Sequence, residues 1–223
     1  MTDRGSEAAT RVYTRAEYLS DAAIHVIGVL AALIAAPVMV TLVVLWGADA
    51  GTVTAVTVYA VTLIAMLSCS AFYNMIRTES WKPVLRRIDQ SAIYMKIAGT
   101  YTPFVMLTGA HMGLFLTAVW SVAGAGAALI IFGSERVKPL AIVLYLALGW
   151  AGAVWGGPLI DGLSTAGFVL MVIGGILYSV GVIFLLWQRL PFHNTIWHVF
   201  VLTATVLLYA SLLVELIGRT SVA

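Results

Sequence analysis

The sequence predicts an all-α integral membrane protein with seven transmembrane helices, a cytoplasmic N-terminus and an external C-terminus. Three observations support this fold class. Of the 223 residues, 61% are apolar and only 10% are charged, whereas a soluble domain carries roughly 25% charged residues. The apolar residues form seven runs long enough to cross a bilayer, and the basic residues alternate between its two sides. We therefore expect lipid to surround most of the chain.

The seven apolar runs set the expected domain boundaries. About 20 mostly apolar residues in a helix cross a bilayer core about 30 Å thick. Short breaks with glycine, proline or charged residues separate the runs. We expect a cytoplasmic N-terminal segment at 1–22, a seven-helix membrane domain at 23–217 and a short external tail at 218–223. Within the membrane domain the spans are predicted at 23–46, 53–76, 88–108, 112–132, 139–158, 165–187 and 196–217.

The orientation follows from lysine and arginine, which are more frequent in cytoplasmic loops. Ten of the twelve basic residues fall in the N-terminal segment or in the connections after the second, fourth and sixth spans. Arg219 lies in the C-terminal tail, and Lys96 lies inside the third span. The alternation places the N-terminus in the cytoplasm. This orientation is opposite to that of a G-protein-coupled receptor, and the seventh span has no lysine for a retinal Schiff base.

Several other classes of protein are excluded by charge and cysteine content. A net charge of +2 without a basic run does not indicate a nucleic-acid partner. Cys69 is the single cysteine, which excludes an intramolecular disulfide and a thiolate zinc cluster. The N-terminal segment mixes both charge signs and has no apolar core, so we expect no cleavable signal peptide. We expect a multi-pass protein of the cell inner membrane, with membrane lipids as its partners.

Polar side chains inside a membrane are costly and often functional, so their positions indicate a site. In the predicted topology, the end of the second span and the starts of the first, third and seventh spans lie on the cytoplasmic side. Polar residues at these positions share one depth, although the sequence scatters them. We expect one pocket that opens toward the cytoplasmic leaflet and contains His25, Ser70, Asn74, Asp89, Gln90, Lys96, Asn194 and His198.

Several of these polar residues also have a purely structural interpretation. His25 can be an interfacial histidine, and Ser70 and Asn74 can hydrogen-bond a neighbouring helix. Asp89 can cap the start of the third span, where the helix dipole favours a carboxylate. Outside this set, His193 is expected on the surface, and Glu215 is expected at the outer interface.

Five stretches of the chain resemble the hemolysin III family, within the progestin and adiponectin receptor (PAQR) superfamily. The most specific is LRRIDQSAIYMKIAGTYTPF at 85–104, which is similar to the family's L-R-x-x-D-H-x-x-I-[FY]-x-x-I-A-G-T-Y-T-P-F block. Supporting stretches are EYLSDAAIHVIG (17–28), SAFYN (70–74), GGILYSVG (174–181) and HNTIWHVFVL (193–202). The resemblance covers nearly the whole chain and implies seven spans with the N-terminus inside.

The resemblance also implies where a metal would bind. Better-studied members of the superfamily hold zinc with one histidine of the second span and two of the seventh, and a third-span aspartate contacts the metal-bound water. The aspartate matches Asp89, but the histidine positions here are Asn74, Asn194 and His198. Asparagine amides are poor zinc ligands beside imidazole, and a catalytic zinc site normally has three protein ligands. We therefore predict no metal site of the family's kind and no cofactor.

The favoured function is lipid sensing or membrane homeostasis, with a degenerate zinc pocket on the cytoplasmic side. One alternative is a ceramidase-like lipid amide hydrolase, zinc-dependent in the superfamily, in which Asp89 and His198 are catalytic. Another is a small ion or proton transporter that uses Asp89, Lys96 and His198. The family usually has an apolar residue at position 96. We hypothesise that the Lys96 ammonium enters the pocket, replaces the missing cation and pairs with Asp89.

Overall fold

A computed structural model describes residues 13–108, 112–134 and 138–220. These ranges contain seven long α-helices and one short one. The breaks after the third and fourth predicted runs, most of the predicted N-terminal segment and the end of the tail lie wholly or partly outside these ranges. The helices are α1 (Arg15–Leu45), α2 (Ala50–Met75), α3 (Lys82–Thr108), α4 (Gly113–Phe132), α5 (Lys138–Trp155), α6 (Gly157–Asp161), α7 (Thr165–Leu186) and α8 (His193–Thr220). Each long helix overlaps one predicted apolar run, and α6 lies across the end of the fifth run and the break that follows it.

The helices of the described ranges are those of a membrane protein. By length and composition, α1, α2, α4, α7 and α8 can each cross a membrane, whereas the apolar part of α5 is shorter. The helix α3 has 27 residues but is more polar than the others, because it carries Lys82, Arg86, Arg87, Asp89 and Lys96. The all-α membrane class predicted from composition is confirmed.

The first and last helices begin before their apolar runs do. A capping box starts α1: Thr14 Oγ1 accepts from the Glu17 amide at 3.3 Å, and Glu17 Oε2 accepts from the Thr14 amide at 2.9 Å. The helix α8 likewise begins at 193, whereas the apolar run was predicted from 196. These polar first turns place Asp21 on the inner face of α1, within a segment that the sequence assigned to the cytoplasm.

Packing between neighbouring helices forms a core below the polar ends. The helix α1 packs against α2 and α8, α2 against α3, α3 against α4, and α7 against α8. A Cβ atom added to Gly99 of α3 would lie 2.0 Å from Thr62 Oγ1 of α2, so these two backbones approach closely. Tyr59, Tyr94 and Phe104 are at most 1% exposed at the centre of the core. This packing fixes the helix faces that carry the site.

Glu215 joins the end of α8 to the start of α7 and is buried inside the bundle. Its Oε1 accepts hydrogen bonds from the Ser164 amide at 2.9 Å and from Ser164 Oγ at 2.6 Å. Ser164 is the N-cap of α7, and its Oγ accepts from the Gly167 amide at 3.0 Å. The carboxylate therefore lies where the helix dipole favours negative charge.

We expect Glu215→Ala to lower the free energy of unfolding by about 1–3 kcal/mol, because it removes the buried carboxylate that accepts both hydrogen bonds from Ser164, the N-cap of α7. Chemical unfolding in detergent micelles measures this change. Asp161→Ala is the matched control, since it removes an exposed carboxylate and should stay within about 0.5 kcal/mol of the wild type. A double-mutant cycle with Ser164→Ala should be less than additive; full additivity would contradict the contact.

Candidate functional site

Three pairs of polar residues face one another where α1 begins, α2 ends and α8 begins. The members of each pair are four residues apart, so they lie on one face of their helix. Asp21, His25, Ser70 and His198 are at least nine-tenths buried, and the two asparagines are partly buried. We call this group the polar cluster; it consists of Asp21 and His25 of α1, Ser70 and Asn74 of α2, and Asn194 and His198 of α8.

Asp21 is the centre of the polar cluster. Its Oδ1 accepts a hydrogen bond from His198 Nδ1 at 2.7 Å, and its Oδ2 accepts from Asn194 Nδ2 at 3.0 Å. Its backbone carbonyl accepts from His25 Nδ1 at 2.8 Å. One residue of α1 thus fixes two imidazoles and an amide. Because a carbonyl oxygen can only accept, His25 carries its proton on Nδ1.

The remaining contacts of His25 connect α1 to α2. His25 Nε2 lies 3.3 Å from Ser70 Oγ and 3.3 Å from Asn74 Nδ2. An amide nitrogen only donates, so Nε2 is the acceptor and the imidazole is neutral. Asn74 Oδ1 in turn accepts from Asn194 Nδ2 at 3.2 Å. The rings of His25 and His198 meet edge to face, with centroids 4.2 Å apart.

A cavity of about 170 Å³ adjoins the polar cluster between α2, α3, α5, α7 and α8. We call it the inner cavity. Ser70 and His198 belong both to the polar cluster and to the wall of this cavity. Most of the wall is aliphatic or aromatic, and its polar part consists of Ser70, Asp89, Lys96, Thr100, Tyr178, Ser179 and His198.

A second cavity of about 150 Å³ lies on the other side of the polar cluster, and we call it the end cavity. Its wall includes Glu17, Asp21, Asn74, Lys82 and Asn194. Asp21 therefore faces the end cavity while its hydrogen-bond partner faces the inner cavity. A hydrogen bond 2.7 Å long therefore joins a residue of one cavity wall to a residue of the other.

One predicted contact and one predicted pocket position differ from expectation, although Lys96 itself lines the inner cavity. Lys96 Nζ donates to Tyr178 Oη at 3.0 Å, and within the described ranges no ion pair joins Lys96 to Asp89. The hypothesised pair is therefore not made. Seven residues correspond to about 10 Å along a helix, and the Tyr178 hydroxyl of α7 is within hydrogen-bond reach. Gln90 is half-buried and lines neither cavity.

Sequence reasoning missed three buried residues at this end of the bundle. Asp21 was not considered, although its spacing of four from His25 was a usable signal. Glu17 is 3% exposed, and its Oε1 accepts from the Phe192 amide at 2.9 Å. His193, predicted on the surface, is 5% exposed and its Nε2 lies 2.7 Å from Tyr13 Oη. These contacts fix the loop before α8 to the start of α1.

The residues at the superfamily's zinc positions do not fit that metal. The Nδ2 atom of Asn74 donates to His25 Nε2 and to the Ser70 carbonyl, and that of Asn194 donates to Asp21 Oδ2. An asparagine can bind a cation only through Oδ1, a poor zinc ligand beside imidazole, and Asn74 Oδ1 already accepts from Asn194 Nδ2 at 3.2 Å. Only His198 brings an imidazole from these positions. The three-histidine zinc site of the superfamily is therefore not present in this chain.

A bundle of long apolar helices around a buried polar cluster defines a multi-pass α-helical membrane protein. A family model described as haemolysin-III related matches residues 15–209. The chain is 39% identical over 196 residues to a hemolysin-3 homolog of Bacillus subtilis (strain 168), covering 86% of this chain and 90% of that one. It is 35% identical over 210 residues to hemolysin-3 of Bacillus cereus, covering 92% and 94%. The chain belongs to the hemolysin III family.

A more distant similarity connects the chain to an animal protein. It is 28% identical over 167 residues to the monocyte to macrophage differentiation factor of Homo sapiens, which covers 68% of this chain and 66% of that one. The placement within the PAQR superfamily, made from the stretch at 85–104 and its companions, is confirmed.

Proposed function

We propose that this chain is a seven-span inner-membrane protein that binds an amphiphilic lipid and so senses or maintains the state of the membrane. The observation that carries the proposal is the inner cavity, whose wall is mostly apolar and whose polar side chains are few. Ligand sites commonly combine an apolar wall with a few polar groups that orient the ligand. An acyl chain suits the aromatic wall, and a polar head group suits Ser70, Asp89 and His198.

The proposed topology places this polar end near the cytoplasmic leaflet. Ten of the twelve basic residues flank that side of the seven predicted runs, which supports a cytoplasmic N-terminus. Lys96 adds a buried donor deeper in the cavity, and its neutral partner Tyr178 also contacts Thr205 Oγ1 at 2.6 Å. An ammonium whose nearest partner is a hydroxyl favours a ligand with an acidic or strongly polar oxygen.

The lipid proposal is tested by native mass spectrometry of the purified chain. We expect a lipid to remain bound after detergent exchange, and its re-addition to delipidated protein should raise the melting temperature. Recovery of lipid-free protein, with no thermal response to phospholipids, fatty acids or ceramides, would reject the proposal.

Filling the inner cavity should weaken lipid binding. Val201 of α8 lines the cavity, so Val201→Trp should reduce lipid retention by about tenfold, which equals about 1.4 kcal/mol of binding free energy. Val199→Trp is the matched control, because Val199 lies two residues earlier on α8 and is 41% exposed. Equal lipid retention by the two variants would contradict a site in the inner cavity.

A lipid amide hydrolase is a second candidate function, favoured by the bond between Asp21 and His198. A carboxylate that accepts from Nδ1–H holds an imidazole in the tautomer whose Nε2 can act as a base. Asp89 lies in the wall of the same cavity. We expect purified protein to release fatty acid from a short-chain ceramide, and His198→Gln to abolish the release. Activity unchanged in His198→Gln, or none in the wild type, would reject this candidate.

A further inference from the structure

Three buried residues of α1 and α8 bring metal-binding atoms together, and two of them lie outside the superfamily's zinc positions. Asp21, His25 and His198 each offer one donor atom, and the three atoms lie within 4.8 Å of one another. The residues are 7%, 5% and 9% exposed. Two imidazoles and one carboxylate form a donor set that suits zinc and other divalent transition metals.

The hydrogen bonds of the polar cluster already prepare His25 as a ligand. Its Nδ1 donates to the Asp21 backbone carbonyl at 2.8 Å, so the lone pair is on Nε2. Metal-binding histidines typically donate their other nitrogen to a carbonyl or carboxylate in this way, which fixes the ring. The groups now nearest to Nε2 are Ser70 Oγ and Asn74 Nδ2, both at 3.3 Å. Both belong to side chains that can rotate away from the lone pair.

The contact between Asp21 and His198 offers the other two ligands. Their atoms Oδ1 and Nδ1 are 2.7 Å apart and share one proton. A tetrahedral metal with bonds of about 2.0–2.2 Å separates neighbouring ligand atoms by roughly 3.3–3.6 Å. The ion would therefore replace that proton after the contact opens by roughly 0.6–0.9 Å.

We propose that Asp21, His25 and His198 bind one divalent transition-metal ion. Of these residues, His198 alone occupies a position where better-studied members of the superfamily have a zinc ligand. The other two ligands come from α1. They replace the two histidines that those members have where this chain has Asn74 and Asn194. Three protein ligands leave a fourth position for water or a ligand oxygen. The site is independent of the proposed lipid binding, because its ligands are complete without a lipid.

The experiment is a titration of the full-length chain in detergent micelles with Co²⁺, whose visible absorption reports tetrahedral coordination, followed by elemental analysis after dialysis against Zn²⁺. We expect one ion per chain in the wild type and a loss of at least about tenfold in affinity in His25→Gln. His193→Gln is the matched control, since His193 is an equally buried histidine at the same end of the bundle and should keep the ion.

Two results would overturn the proposal. The first is a wild-type chain that takes up no Co²⁺ or Zn²⁺, a measurement that needs no variant to fold. The second is a His25→Gln variant that binds the ion as tightly as the wild type. Retention of lipid in the same preparations is read separately by mass spectrometry, so a failed metal site and a failed lipid site are distinguishable.

Discussion

Asp21→Ala is expected to lower the free energy of unfolding by about 3–5 kcal/mol, because removing one partner of a buried ion-pair or hydrogen-bond network leaves the others unsatisfied. The lost carboxylate accepts from His198 Nδ1 at 2.7 Å and from Asn194 Nδ2 at 3.0 Å. The backbone carbonyl that binds His25 stays in place. Denaturant unfolding in micelles, followed by tryptophan fluorescence, measures the loss, since Trp197 is adjacent to His198.

Two further variants give reference values for the loss of unfolding free energy in Asp21→Ala. Asp21→Asn keeps one acceptor oxygen and should cost less than the alanine variant, about 1–3 kcal/mol. Glu79→Ala removes an exposed carboxylate from the connection between α2 and α3, so its effect should stay within about 0.5 kcal/mol. If Asp21→Ala behaves like Glu79→Ala, then the polar cluster does not stabilise the bundle.

Asn74→His combined with Asn194→His is expected to give the chain a tight zinc site of the superfamily's kind. The two amides lie 3.2 Å apart, and Asn194 and His198 are one turn apart on α8, so three imidazoles would meet. At free zinc about 1,000-fold above the dissociation constant, binding to the folded state adds about 4 kcal/mol to the free energy of unfolding. Thermal unfolding with and without zinc measures this gain.

The double-histidine variant also distinguishes its own three-histidine site from the metal site proposed for the wild type. Adding His25→Gln to the double-histidine variant should leave zinc binding intact, because its three histidines do not include His25. Adding His198→Gln should remove the binding. A double-histidine variant that gains no stability from zinc would show that Asn74 and Asn194 do not point at a common position.

The sequence predicts the fold class and much of the candidate site because both depend on local patterns. Apolar runs predict the long helices, and pairs spaced by four predict which polar residues share a helix face. Asp21 was missed because it precedes the apolar run that begins at 23, and its partner His198 is 177 residues away. Contacts of that kind depend on how α1 packs against α8, which no local pattern encodes.

The wrong predictions have similar causes. His193 was placed at the surface because polar residues in loops near helix ends usually lie there. In the structure, Tyr13 provides a partner that makes its burial possible. Lys96 was paired with Asp89 on its own helix, but the hydroxyl of Tyr178 on α7 takes that role. In each case the partner belongs to a helix or loop distant in sequence.

The contacts between α1 and α8 also determine when the bundle can be completed during synthesis of the chain. The first helix emerges from the ribosome long before the last, yet Asp21 finds its imidazole partner only on α8. Nearer the middle of these two helices, the Ala35 carbonyl of α1 accepts a hydrogen bond from the Tyr209 hydroxyl of α8. A nascent chain that has inserted α1 to α7 therefore still carries Asp21 without its imidazole partner. Chains truncated before α8 should be recognised as incomplete and degraded.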